Sequence, residues 1–235
     1  MTGVQTCALP ILELQQIVNE SIVIDENAAK EPDGVYVDLS KLDFDKLKAA
    51  FAKTQKKNTL VYDLQRAVEM KLEQMLKENP LRIAFYERYQ EIIKEYNQGK
   101  SLEDTINAFN TLNDFIQDLT FEEARAFREE LDQESLAIFD LLKSGKELST
   151  KELKEVKKVS VDVLLKLKEE KLRVDRWRES RQLTAQVKTI IYDTLQWLPQ
   201  ESYTDEEVGT KTINVYQHIY SNYPGGMNSV YGRTA

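Results

Sequence analysis

Gly99, Lys100 and Ser101 spell the last three positions of a phosphate-binding loop, in which backbone amides wrap a phosphate and a lysine reaches its oxygens. The full motif needs a glycine five residues before Gly99 and a strand leading in. Lys94 stands there instead, at the end of a helical pattern, so the triplet reads as a glycine closing one helix and a serine opening the next. His218 is the single histidine and Cys7 the single cysteine of the 235 residues. That excludes a multi-histidine metal site, a zinc site and an intrachain disulfide within the chain. His218 lies between Tyr216 and Tyr220 on a helical pattern and is expected as a partly buried packing or hydrogen-bonding residue. Acidic pairs are plentiful, among them Asp43/Asp45, Glu103/Asp104, Glu122/Glu123, Glu129/Glu130 and Glu206/Glu207. Metal-dependent nuclease chemistry would need carboxylates converging with a lysine, whereas adjacent residues on a helix point about 100° apart. Most of the pairs fall in first helical turns, where the helix dipole favours a carboxylate.

One basic patch remains. Arg173, Arg176, Arg178, Arg181 and Lys188 are interleaved with Trp177 and interrupted by Asp175 and Glu179. Three readings fit it: contact with nucleic-acid phosphates, contact with a protein partner, or a face of arginines that flank a buried tryptophan and pair with acids on neighbouring helices. No motif for a nucleophile, a metal cluster or a nucleotide accompanies the patch.

The elements that must position these residues are helical. Val174, Trp177, Leu183, Val187, Ile190, Ile191, Leu195 and Leu198 recur at three- and four-residue steps and predict one amphipathic helix stopped by Pro199. Thr204 and Glu207 form a capping box for a second helix, with Val208, Ile213, Tyr216, Ile219 and Tyr220 inward, ending before Tyr223-Pro224-Gly225-Gly226. Upstream, Phe44, Leu47, Ala50 and Phe51 begin the pattern, and Leu60, Leu64, Val68, Leu72 and Met75 carry it to Asn79-Pro80. Further starts are expected at Ser101 with Asp104, Thr120 with Glu123, Asp132 with Ser135 and Ser149 with Glu152. The expected fold class is therefore all-α: a two-lobed multi-helix bundle over residues 42–223, its weakest boundary near 143–148. Residues 12–41 read as a short irregular or extended connector from an upstream domain. Residues 1–11, MTGVQTCALPI, resemble a translated sequencing adapter and are left out of the fold reasoning. The Gly-rich tail, 224–235, lacks periodicity and is expected to be loosely held.

Composition agrees: 31% of residues are charged, 41% hydrophobic, and there are only 8 Gly and 5 Pro. No apolar run approaches the roughly 20 residues that cross a bilayer, so no membrane partner is expected. A net charge of −8 argues against the whole chain acting as a phosphate binder, which needs Lys and Arg to displace counterions.

Several segments resemble, in order and spacing, one known family. They are DLSKLDFDKLKAAF (38–51), NPLRIAFYERYQEIIKEYN (79–97), LAIFDLL (136–142), RVDRWR (173–178), LP followed by SYT (198–204) and VYQHIYSNYP (215–224). Together they look like the C-terminal helical region of the R subunit of type I restriction endonucleases. The resemblance implies a cytoplasmic machine in which R subunits bind a methyltransferase core of modification and specificity subunits. R subunits use ATP and Mg to pull unmethylated DNA past the complex and cut it far from the recognition site. In that family the nuclease and helicase-type ATPase motifs lie N-terminal to this region; none occurs here, so no catalytic, metal or cofactor residue carries over. The expected role is non-catalytic, packing on the upstream nuclease and motor domains of the same subunit and helping to dock it onto the core, with DNA met through the complex. The alternative is a free-standing helical module that binds protein or nucleic acid through the Arg173, Arg176, Arg178, Arg181 and Lys188 face.

Overall fold

Where a polar side chain can satisfy the free amides of a first turn, a helix begins. Asp43 accepts from the backbone of Asp45 and Lys46, Asp132 from Ser135, and Ser149 and Thr204 form full capping boxes with Glu152 and Glu207. The computed structural model describes residue 39 and residues 42–99, 101–226 and 228–233. The readings of residues 1–11, of Lys100 and of the 12–41 connector, apart from Leu39, lie outside those residues. Nine α-helices are described: α1 (Phe44–Lys53), α2 (Lys57–Glu78), α3 (Ile83–Gln98), α4 (Leu102–Glu123), α5 (Arg125–Arg128), α6 (Gln133–Lys143), α7 (Thr150–Glu170), α8 (Arg181–Leu195) and α9 (Asp205–Asn222). Among the described residues there is no strand, and a single isolated bridge joins Gly225 to Asn228. The chain is all-α, and no described helix is long and apolar enough to cross a membrane.

The helices divide into two units, one of Met1–Gln74 with Ile83–Glu123 and the other of Met75–Arg82 with Ala124–Ala235. In the first, Phe51 stacks on Phe109 with ring centroids 3.8 Å apart, and Tyr89 packs against Phe115 while donating to the carbonyl of Gln65 at 3.2 Å. In the second, the inward residues of α6 and α7 (Leu136, Ile138, Val156, Val163) meet Trp177 and the inward residues of α8 and α9 (Val187, Ile191, Val215, Ile219) in one core.

The division therefore falls away from residues 143–148, which are internal to the second unit. The reason is a set of ties that close the C-terminus of α6. Lys211 of α9 donates from Nζ to the carbonyls of Leu141 at 2.8 Å and Ser144 at 2.7 Å, and the Tyr203 hydroxyl donates to Leu142 at 3.0 Å. Lys146 pairs with Glu207 at 2.5 Å. A loop stitched down in this way is no hinge between lobes.

Three other expectations are corrected. Thr120 does not open a helix: its hydroxyl donates to Ile116 at 3.0 Å inside α4, which continues because Leu119 still faces the core. Val174 and Trp177 are not on the helix of Leu183 to Leu195. The chain turns after α7, passes through a 3-10 turn at Trp177–Glu179, and restarts at Ser180, whose hydroxyl accepts from Leu183. The tail is held at Tyr231, within its described residues 224–226 and 228–233: that side chain lies in the core, and its hydroxyl donates to the Glu78 carbonyl and sits 3.0 Å from His218 Nε2.

Candidate partner-binding face

The turn between α7 and α8 organises the basic patch. Leu172 closes α7 through its amide to the Leu167 carbonyl at 2.9 Å. Arg176 then takes a left-handed φ of 52°, which swings Trp177 into the core with no exposed surface. The Trp177 indole N–H donates to the Tyr223 carbonyl at 2.9 Å, and its ring meets Tyr220 edge-on, centroids 5.8 Å apart. Gly225, at φ +119°, closes the arrangement: a Cβ there would lie 3.0 Å from the Arg176 amide nitrogen and the Val174 carbonyl oxygen. The RVDRWR and YPGG segments are two halves of one interlock.

The five cations of the patch separate on this frame. Arg178 is partly buried; its Nε donates to Tyr223 and its Nη2 to Ser221, both at 3.2 Å, so it caps the C-terminal carbonyls of α9, and its guanidinium lies 5.2 Å from the centre of the Tyr220 ring. Lys188 on α8 holds its ammonium 4.4 Å from the Tyr216 ring of α9. Arg173, Arg176 and Arg181 are exposed and form no ion pair among the described residues. The structure thus brings Arg178 and Lys188 onto the α8–α9 hairpin beside Tyr216 and Tyr220. Arg173 and Arg176 stay in the turn, and Arg181 heads α8.

Sequence periodicity missed part of this face. Ile213 and Tyr220 were expected inward, yet they are 58% and 41% exposed. Val208 and Ile219 face inward as expected, and Thr212, Val215 and Asn222 complete the buried side of α9, together with Lys211 and His218. Polar members disguise that stripe in the sequence; the regular steps of four, three, four and three from Val208 were the available signal. Beside it, Lys188, Thr212, Ile213, Tyr216 and Gln217 line a surface groove of about 190 Å³.

The remaining chemistry-bearing groups hold the scaffold together. Among the described residues no group of three His, Cys, Asp or Glu could hold a metal ion. The Ser149 hydroxyl, helped by that of Ser202, holds the Glu152 carboxyl near 2, and the Lys146 ammonium, helped by the Thr204 backbone, does the same for Glu207. Glu129 is lowered by its hydrogen bond from Lys157, 2.7 Å away. Burial keeps His218 neutral, with its pKa depressed to about 4. Since the Tyr231 hydroxyl donates to Glu78 and the Asn222 amide donates at 3.0 Å to His218 Nδ1, the network assigns the imidazole proton to Nε2, which donates to Tyr231. Gly99 and Ser101 act as helix punctuation. The amide and hydroxyl of Ser101 both donate to Asp104, and a Cβ on Gly99 would meet the Asp104 Cβ at 2.5 Å.

Comparison with protein families decides what this scaffold is part of. The family described as Type I restriction enzyme HindI endonuclease subunit-like, C-terminal, matches residues 11–220. The chain belongs to that family. No curated protein and no solved structure matches it. The type I restriction enzyme match spans both helical units, the Trp177 turn and all five cations of the patch. As a C-terminal region of a type I restriction enzyme subunit, the chain presents a helical frame in which His218 and Lys211 are packed and Glu152 and Glu207 complete capping boxes.

Proposed function

We propose that this chain is the non-catalytic helical C-terminal part of a type I restriction endonuclease R subunit, and that it supports assembly of the DNA translocation and cleavage complex. In this reading it packs on upstream nuclease and motor domains of its own subunit and helps dock that subunit on the modification and specificity subunits. DNA is met through the complex, in the cytoplasm. ATP and Mg are handled by the motor region, and this chain binds neither. The observation that carries the reading is the family match over residues 11–220, joined to a described region whose ionisable side chains cap helices and close ion pairs. The test is reconstitution. The purified chain, mixed with the modification and specificity subunits in analytical ultracentrifugation, is expected to sediment with them, and alone to show neither ATPase nor nuclease turnover. Separate sedimentation of chain and core, or turnover from a clean preparation, overturns the proposal.

A further inference from the structure

The α8–α9 hairpin carries a second surface, which borders its core where Tyr216 packs against the core and Tyr220 meets Trp177. On α8, Arg181, Ala185, Lys188 and Tyr192 follow at helical spacing, and on α9 so do Gly209, Ile213, Tyr216 and Tyr220. The two helices run antiparallel, with Trp177 and Arg178 ahead of α8 bound to the end of α9, and Lys188 seated over Tyr216 at mid-length. Tyr192 is 42% exposed and Ile213 58%. In a chain of net charge −8, the stripes from Arg181 to Tyr192 and from Gly209 to Tyr220 contain no carboxylate, Asp205 and Glu206 coming one turn before Gly209, and Arg178, Arg181 and Lys188 line this stretch.

We propose that this face takes an amphipathic helix from another polypeptide, one that carries acidic side chains beside its apolar stripe. The inference rests on the assembly reading above and names the chemistry of the partner. Ile213 and the groove between Lys188 and Tyr216 accept an apolar side chain of the incoming helix, as grooves between helices do. Arg181 and Lys188 stand at the edge, where they meet its carboxylates; such rim pairs set orientation and on-rate. Nucleic acid fits less well. Affinity for a duplex grows with the number of phosphates that Lys and Arg neutralise. This face has Arg181, Lys188 and an Arg178 whose Nε and Nη2 already donate to Tyr223 and Ser221. The rings of Tyr216 and Tyr220 each lie against a cation, which obstructs base stacking.

The test uses the full chain and three dye-labelled probes in fluorescence anisotropy. These are a synthetic helix of about 18 residues with leucines at i, i+3, i+4 and i+7 and glutamate flanks, the same helix with lysine flanks, and a duplex of about 20 base pairs. The glutamate-flanked helix is expected to bind at least tenfold more tightly than either other probe. Lys188→Glu with Arg181→Glu is expected to weaken it at least tenfold, as is Ile213→Glu. The exposure of all three side chains leaves the fold intact, which unchanged circular dichroism and tryptophan emission verify. Equal binding of the two helices, tighter binding of the duplex, or variants without effect overturns the inference. Should the variants still sediment with the modification and specificity subunits while the peptide ignores the chain, this inference falls and the assembly reading stands. Peptide binding without co-sedimentation reverses that outcome.

Discussion

Asn113 lies on α4 with no exposed surface, and neither its amide nitrogen nor its amide oxygen has a hydrogen-bond partner among the described residues. Leaving a buried donor or acceptor unpaired costs about 1–3 kcal/mol, whereas an apolar side chain of the same branched shape avoids that cost. Asn113→Leu is therefore expected to stabilise the protein by about 1–2 kcal/mol, read as a higher urea midpoint in circular dichroism. A lower midpoint would show that the amide is held by something Leu cannot replace. Nothing in the sequence marks Asn113 as buried, because its type is ordinarily a surface one. His218 was legible as a packing or hydrogen-bonding residue because no second histidine or thiol could make it a ligand, although the buried stripe that carries it runs through Val215, Ile219 and Asn222 and not through Tyr216 and Tyr220. Arg178 was not: whether an arginine beside a tryptophan faces a phosphate or caps a helix depends on carbonyls more than 40 residues away.

Helix starts are the most legible elements, because a cap is a local event in which side chain and amide are three residues apart. Ser149, Thr204, Asp132 and Ser101 all cap as their spacing predicts, and Thr120 fails because a buried Leu119 lets the helix run on. Helix ends are less legible. The close of α5 forms the six-to-one and five-to-two hydrogen bonds of a Schellman motif, Leu131 to Ala126 at 2.9 Å and Glu130 to Phe127 at 3.1 Å. Its left-handed position, φ 58°, is taken by Glu130 where glycine is usual. The left-handed conformation costs an L-residue about 1–2 kcal/mol, partly offset by the larger unfolded-state entropy of glycine. Glu130→Gly is expected to raise stability by about 0.5–1 kcal/mol. The exposed side chain makes this a backbone measurement, and Glu130→Ala serves as the control that should not reproduce the gain. The turn at Arg176 was equally hidden, since the glycine that permits it, Gly225, sits on another segment.

Across the whole molecule, two opposing effects act as acid is added. The net charge of −8 shrinks toward the isoelectric point near 5.0, which relieves self-repulsion and favours the folded chain. His218 acts the other way. Its folded pKa, about 4, lies below the ordinary 6.5, so the unfolded chain binds the extra proton first. The stability it contributes is present in full above about pH 6.5 and is lost as the pH falls toward 4. Between about pH 7 and pH 5 that loss amounts to about 2 kcal/mol. Glu152 and Glu207, held near 2, lose their contribution as the pH falls from the ordinary 4.5 toward 2, almost wholly below this window. Trp177, buried in the same unit as His218, supplies the signal in a Trp197→Phe background, which removes the second tryptophan, 69% exposed. Urea unfolding followed by its emission is expected to give a lower midpoint at pH 5 than at pH 7. His218→Gln keeps a neutral donor and acceptor between Tyr231 and Asn222 and removes the titration. Its midpoint should hold steady or rise on acidification, as relief of charge repulsion alone would dictate. A variant that loses stability in step with the wild type would assign the acid sensitivity to groups other than the imidazole.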